Sequence, residues 1–199
     1  MPGIKGGISK TMLAIVAAGC LLAGFYLGMV TQSSTVPVNA AAQADQDLTA
    51  EIAQAEAQTR ARPDDPETWT VLGNLYFDTD QPEKSVEAYE KSLALRPGDP
   101  DVLTDQGVMY RELKEFDKAL DSFNKAIAVD KTHVIAHYNK SIILLHDKND
   151  RAGAIAVLET LAAKKPSAMV PGGESVADML RELKQDGQSA PVKNPNFLN

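Results

Sequence analysis

Cysteine is nearly absent from this chain. There is one in 199 residues, Cys20, and it lies in an apolar stretch near the amino terminus. No disulfide can therefore form within the rest of the chain, even in an oxidising compartment. The patterns C-x-x-C and C-x-x-C-H do not occur, so the chain does not attach a c-type haem of its own. Neither a phosphate-binding Gly-rich loop nor a nucleophile elbow is found. A surplus of basic residues is also missing: 20 Lys and Arg stand against 27 Asp and Glu, a net charge of −7. Nucleic-acid binding requires a basic stripe, and an anionic membrane surface repels an acidic chain. The expectation is a protein without enzymatic activity, cofactor, metal or nucleic-acid partner.

Charge is lacking altogether over Thr11 to Val30. Twenty helical residues span roughly 30 Å, the thickness of a bilayer core. Lys5 and Lys10 precede this run and no acidic residue occurs before Asp45. The positive-inside rule then keeps residues 1–10 cytoplasmic and exports the chain beyond residue 30. The segment 11–30 reads as a transmembrane signal anchor in a bacterial-type inner membrane, with the soluble part in the periplasm. Two alternatives remain: a cleaved signal peptide, with small residues around Ala40 and Ala44, and a lipoprotein acylated at Cys20. Gly24 and Gly28 have the spacing of close-packed membrane helices. Residues 31–46, rich in Ser, Ala and Gln, read as a flexible stalk.

Helical periodicity governs the middle of the chain. Trp69, Leu72 and Tyr76 sit at i, i+3 and i+7, one face of a helix. Gly73 lies inside that helix, where Gly costs about 1 kcal/mol relative to Ala, so close approach of a second helix is expected there. Asp80-Gln81-Pro82 breaks the helix and Pro82 starts the next one. Val86, Tyr89 and Leu93 face back, and Pro97 ends the pair.

A shift of 34 residues carries Pro66 to Pro100, Gly73 to Gly107, Tyr76 to Tyr110 and Tyr89 to Phe123. A further 34 reaches His137, Ser141 and Leu144. Beyond them one extra residue is needed, because Ala119, Phe123 and Ala126 correspond to Ala154, Leu158 and Leu161. The turn Asp147–Asp150 is the expected site of that insertion.

Trp69-x-x-Leu72-Gly73-x-x-Tyr76, followed by Ser85, Tyr89 and Pro97, resembles the tetratricopeptide repeat (TPR) family. The resemblance implies an all-α helix-turn-helix solenoid. A leading helix occupies 47–65, repeats occupy 66–99, 100–133 and 134–168, and a capping helix comes next at 173–186. Residues 187–199 read as a disordered tail. Trp69→Ala is expected to cost about 3–5 kcal/mol.

The resemblance also implies a concave groove, lined by the first helix of each repeat, that takes a partner protein or peptide. Its matching positions are Glu67, Thr70, Asn74 and Phe77; Asp101, Thr104, Val108 and Arg111; and Ile135, Tyr138, Ile142 and Leu145. The peptide-binding candidates among them are Asn74, Phe77, Val108, Arg111, Tyr138, Ile142 and Leu145. A terminal-carboxylate clamp of Lys, Asn and Arg is not matched: Asn74 fits it, but Val108, Tyr138 and Ile142 do not. The groove instead grades from polar to apolar, suited to the apolar face of a partner helix. Replacing Tyr138 and Arg111 by Ala is expected to abolish capture and leave melting nearly unchanged.

The remaining polar candidates read as structural. His133 and His137 share i, i+4 spacing, but His137 replaces the Trp anchor and His133 falls at a turn. His146 lies near a helix end, where it is favourable against the dipole. Asp64-Asp65 and Asp99/Asp101 read as caps. The expected function is a membrane-anchored interaction scaffold for assembling or maturing an envelope complex. TPR proteins of c-type cytochrome maturation are one similar group. The alternative is a self-assembling structural protein, a homo-oligomer.

Overall fold

The structure is a computed structural model that describes residues 38–185, with side chains from residue 47 onward. The expected anchor at 11–30, the first part of the stalk and the tail at 187–199 lie outside the described residues. Among the described residues no helix is long and apolar enough to cross a membrane.

The described residues form eight α-helices in succession: α1 Val38–Ala61, α2 Pro66–Asp78, α3 Pro82–Leu95, α4 Pro100–Glu112, α5 Phe116–Val129, α6 Val134–Ile142, α7 Arg151–Lys164 and α8 Val176–Gln185. A π-helical turn, Ile143–Asp147, extends α6. Among the described residues there is no strand, only an isolated bridge between Met169 and Ser175. The stalk expectation is corrected in part. Helix α1 starts at Val38, and Ala40, Ala41, Ala42 and Ala44 are the reason: Ala is the strongest helix former, although an Ala-, Ser- and Gln-rich stretch also reads as a linker.

The helix starts are set by their caps. Pro66 and Pro100 open α2 and α4, and Asp65 and Asp99 accept from the amides of Glu67 and Val102. His133 does the same for α6, its Nδ1 accepting from the amide of Ala136 at 3.2 Å. Between paired helices Asp80, Lys114 and Asn149 each adopt the left-handed conformation, with φ of 54, 60 and 54°. Pairs α2/α3, α4/α5 and α6/α7 are thus three copies of one unit.

Glycine explains the tight pairing. A Cβ on Gly73 would stand 2.5 Å from Cε1 of Tyr89, and one on Gly107 would stand 2.5 Å from Cε1 of Phe123. Both rings are fully buried, at 0% exposure. The contacts of the first two repeats match at the 34-residue shift. Tyr76 donates to Glu56 at 2.7 Å and Tyr110 to Glu90 at 2.9 Å. Lys84 and Lys118 each lie 5.2 Å from the matching tyrosine ring centre. Since Glu56 plays the part of Glu90, α1 packs on the first repeat as α3 packs on the second.

The single inserted residue is not in the turn expected from sequence. The amides of Gln81 and Glu115 bond to the carbonyls five residues earlier, Tyr76 and Tyr110. The corresponding amide, Asp150, reaches back six residues to Leu144, while Asn149 keeps the turn conformation. The extra residue therefore resides in the Ile143–Asp147 π turn, where the wider winding accommodates it without opening the turn.

The core of the described residues runs along the stack in three clusters. Ala55, Leu72, Tyr76 and Ala88 form the first. Tyr89, Leu103, Met109, Tyr110, Phe123 and Ile143 anchor the second. Leu158, Leu161, Val170, Val176, Leu180 and Leu183 close the third under α8. Trp69 is only half-buried, and its indole N–H donates to the Pro63 carbonyl at 2.8 Å. Its removal therefore costs less than the loss of a fully buried ring.

Candidate partner-binding groove

Helices α2, α4 and α6 run side by side, and the candidate groove lies on the face formed by their matching positions. Asn74 is exposed there; its side-chain carbonyl accepts from the hydroxyl of Tyr89 at 2.8 Å. Phe77 and Val108 are half-buried against the central cluster, leaving part of each side chain open. Thr104 is buried and bonds the Pro100 carbonyl at 2.7 Å. Val71, at 41% exposure, extends the apolar surface beside Asn74.

The third repeat departs from expectation. Tyr138 is 3% exposed and packs with Leu158, Val170 and Val176, so it offers a partner almost no surface. The cause is the loop before α8, which tucks Ala168 and Val170 into the same cluster. Ile142 and Leu145 are half-buried against that cluster. Because the π turn adds a residue, the place of Arg111 is taken by exposed His146 rather than by Leu145. Ile135 remains exposed.

Arg111 is not free for an acidic partner group. Its Nε donates to Asp147 at 2.8 Å across the second and third repeats. The groove's other charges are acidic. Asp101 binds Nε2 of His133 at 2.9 Å. Because Nδ1 of that ring accepts a backbone N–H, the proton sits on Nε2 and His133 donates. Asp105, one turn beyond Asp101, is half-buried; burial first, then the nearby Asp101 carboxylate, push its pKa up to about 6. Asp78, on α2, adds to the same negative field around Asp105 and the Tyr89 hydroxyl.

Asp78 and Asp105 are absent from the sequence-derived groove positions. The signal was present: Asp105 is four residues past Asp101, and Asp78 four past Asn74, one helical turn along the same face. Among the described residues no group of three or more His, Cys, Asp or Glu is placed to hold a metal ion. His137 is buried, with Nε2 at 3.3 Å from the Lys131 carbonyl, in the place Trp69 holds in the first repeat.

Two family models, both described as tetratricopeptide repeat, match residues 64–132 and 104–169, the same helix pairs that form the groove. The chain carries tetratricopeptide repeats. No curated protein sequence matches it. Among solved structures, MamA is similar at a TM-score of 0.58 and 21% identity, over 67% of this chain and 78% of MamA. A second MamA structure gives 0.59 and 18%, over 77% and 92%. The first TPR of Spaghetti (RPAP3), bound to the HSP90 peptide SRMEEVD, gives 0.52 and 20%, over 62% of this chain and 94% of that one. At these identities the likeness establishes the fold, an all-helical TPR stack.

Proposed function

We propose that this protein is a non-enzymatic scaffold whose TPR groove captures a partner protein or peptide. The observation that carries it is the partly open surface of Val71, Asn74, Phe77 and Val108, side by side on α2 and α4. Such a surface, apolar with a few polar groups, suits an amphipathic segment. A TPR domain of similar fold is known with a bound peptide. The groove is narrower than the sequence implies, since Tyr138 is withdrawn into the core.

The uncharged run Thr11–Val30, preceded by Lys5 and Lys10, supports tethering to an inner membrane with the repeats in the periplasm. A tethered capture module serves the assembly or maturation of an envelope complex. Maturation of c-type cytochromes is the narrower form of this reading. A photo-reactive residue placed at Val108 of the full-length chain, followed by crosslinking in cells and mass spectrometry, tests it. Crosslinks to one envelope assembly, or to apocytochromes, support capture and name the pathway. Crosslinks confined to copies of the same chain replace capture by self-assembly.

A further inference from the structure

Resting on the groove reading above, we infer that the captured segment is cationic. Its Lys or Arg side chains meet Asp105 and Asp78, while its apolar side chains lie on Val71, Phe77 and Val108. Three observations lead there. Among the described residues Asp78 and Asp105 form no ion pair, and Asp101 meets only His133. Other acidic groups near these helices do find cations: Glu67, at the first groove position, and Asp99 share Arg96, at 3.2 and 3.0 Å, and Asp117 pairs with Lys148 at 2.7 Å. The groove's own cation, Arg111, is held by Asp147, so it neither neutralises Asp105 nor waits for an acidic ligand.

Physical chemistry gives this arrangement a direction. A half-buried carboxylate without a counter-charge is unfavourable in the free protein. A cation brought by a partner relieves that penalty at the moment of binding, so the interaction favours the complex. Like charges of a second acidic segment would be repelled by the same three carboxylates, which excludes acidic tails from this surface. The half-open apolar side chains beside them supply contact area that a purely charged ligand would leave unused.

The test uses the full-length chain in mild detergent and two sets of amphipathic peptides. Both carry Leu along one helical face and are acetylated and amidated, which removes terminal charges. One set has Lys and Arg on the polar face, the other Glu. Fluorescence anisotropy is expected to show the cationic set binding at least about tenfold more tightly. The double variant Asp78→Asn, Asp105→Asn is expected to lose about tenfold in affinity for that set while remaining folded, since both changes remove uncompensated charge. Glu peptides binding as well as the Lys/Arg set would overturn the cationic assignment, while groove crosslinks from Val108 would keep the capture reading alive. Cationic binding undiminished in the double variant would place it elsewhere on the acidic surface and likewise overturn the assignment. Failure of both sets, together with no groove crosslinks in cells, would overturn capture as well.

Discussion

Asp147 reaches Arg111 at 2.8 Å because the π turn that ends α6 swings it back toward α4. The two side chains are 19% and 31% exposed respectively, so the pair is shielded enough to count. It ties the second repeat to the third at the groove's edge. A double-mutant cycle on Arg111→Ala and Asp147→Ala, read by urea denaturation, is expected to give a coupling of about 1 kcal/mol that shrinks in high salt. Additive losses would mean the pair does not hold the repeats together.

Gly73→Ala tests the close approach of α2 and α3. Ala is the better helix former by about 1 kcal/mol, so an open helix would gain stability. Here the new methyl meets the Tyr89 ring at 2.5 Å, and that ring is fully buried. Overpacking of this kind costs about 1–3 kcal/mol. A net loss of up to about 2 kcal/mol is expected by thermal melting, with Gly107→Ala behaving alike against Phe123. A gain at either site would show that the rings yield.

Tyr138→Ala is expected to destabilise by about 3 kcal/mol or more. Its ring lies among Leu158, Val170 and Val176 and carries the packing of α6 against the segment before α8. Circular dichroism melting checks this directly. An unchanged melt would return Tyr138 to the groove, where the periodicity of the first helices puts it.

That periodicity made much of the fold legible. Gly73 and Gly107 inside their helices, and Pro66 and Pro100 behind their Asp caps, are signals visible in the sequence, while the rings that meet the glycines, Tyr89 and Phe123, come from the structure. The leading helix was legible too, because Arg62-Pro-Asp-Asp-Pro66 mirrors Arg96-Pro-Gly-Asp-Pro100. The inserted residue was not, since any position between Ile143 and Asn149 satisfies the same spacing. Only backbone bonding distinguishes a π turn from a longer loop. In the first two repeats Phe77 and Val108 stay half-open as the periodicity of α2 and α4 implies, because each first helix has another beside it. In the third repeat the burial of Tyr138 depends on Ala168 and Val170, which belong to a loop with no counterpart earlier in the chain. The 34-residue repeat does not mark Asp105, because its matching residue in the first repeat, Val71, carries no charge; only its helical spacing from Asp101 does.

His137 predicts an acid-sensitive third repeat. It is 2% exposed, and burial holds its pKa below the ordinary 6.5. The unfolded chain then takes up the proton first. Stability is full above about pH 6.5 and falls as the pH drops toward the lowered value. His137→Leu should remove that loss. An identical acid slope in the variant, by urea denaturation between pH 7 and 5, would assign the slope to other groups.

Asp105 predicts the opposite slope in a neighbouring window. Its ordinary pKa of 3.8 is raised to about 6 by burial, with Asp101, Asp99 and Asp78 adding to it and His133 opposing. Below about pH 4 the carboxyl is neutral in both states and costs nothing. As the pH rises toward 6 the unfolded chain ionises freely while the folded one resists, so stability falls across that interval and stays lower above it. Two pH units correspond to about 3 kcal/mol, so Asp105→Asn should stabilise the fold by about 2–3 kcal/mol at pH 8 and by almost nothing at pH 4. Urea denaturation of both proteins at the two pH values checks this. A variant no more stable at pH 8 would mean that Asp105 is already compensated in the free protein. A stabilised variant would mean that the chain carries a carboxylate its fold would be better without, at the place proposed to meet a cationic partner.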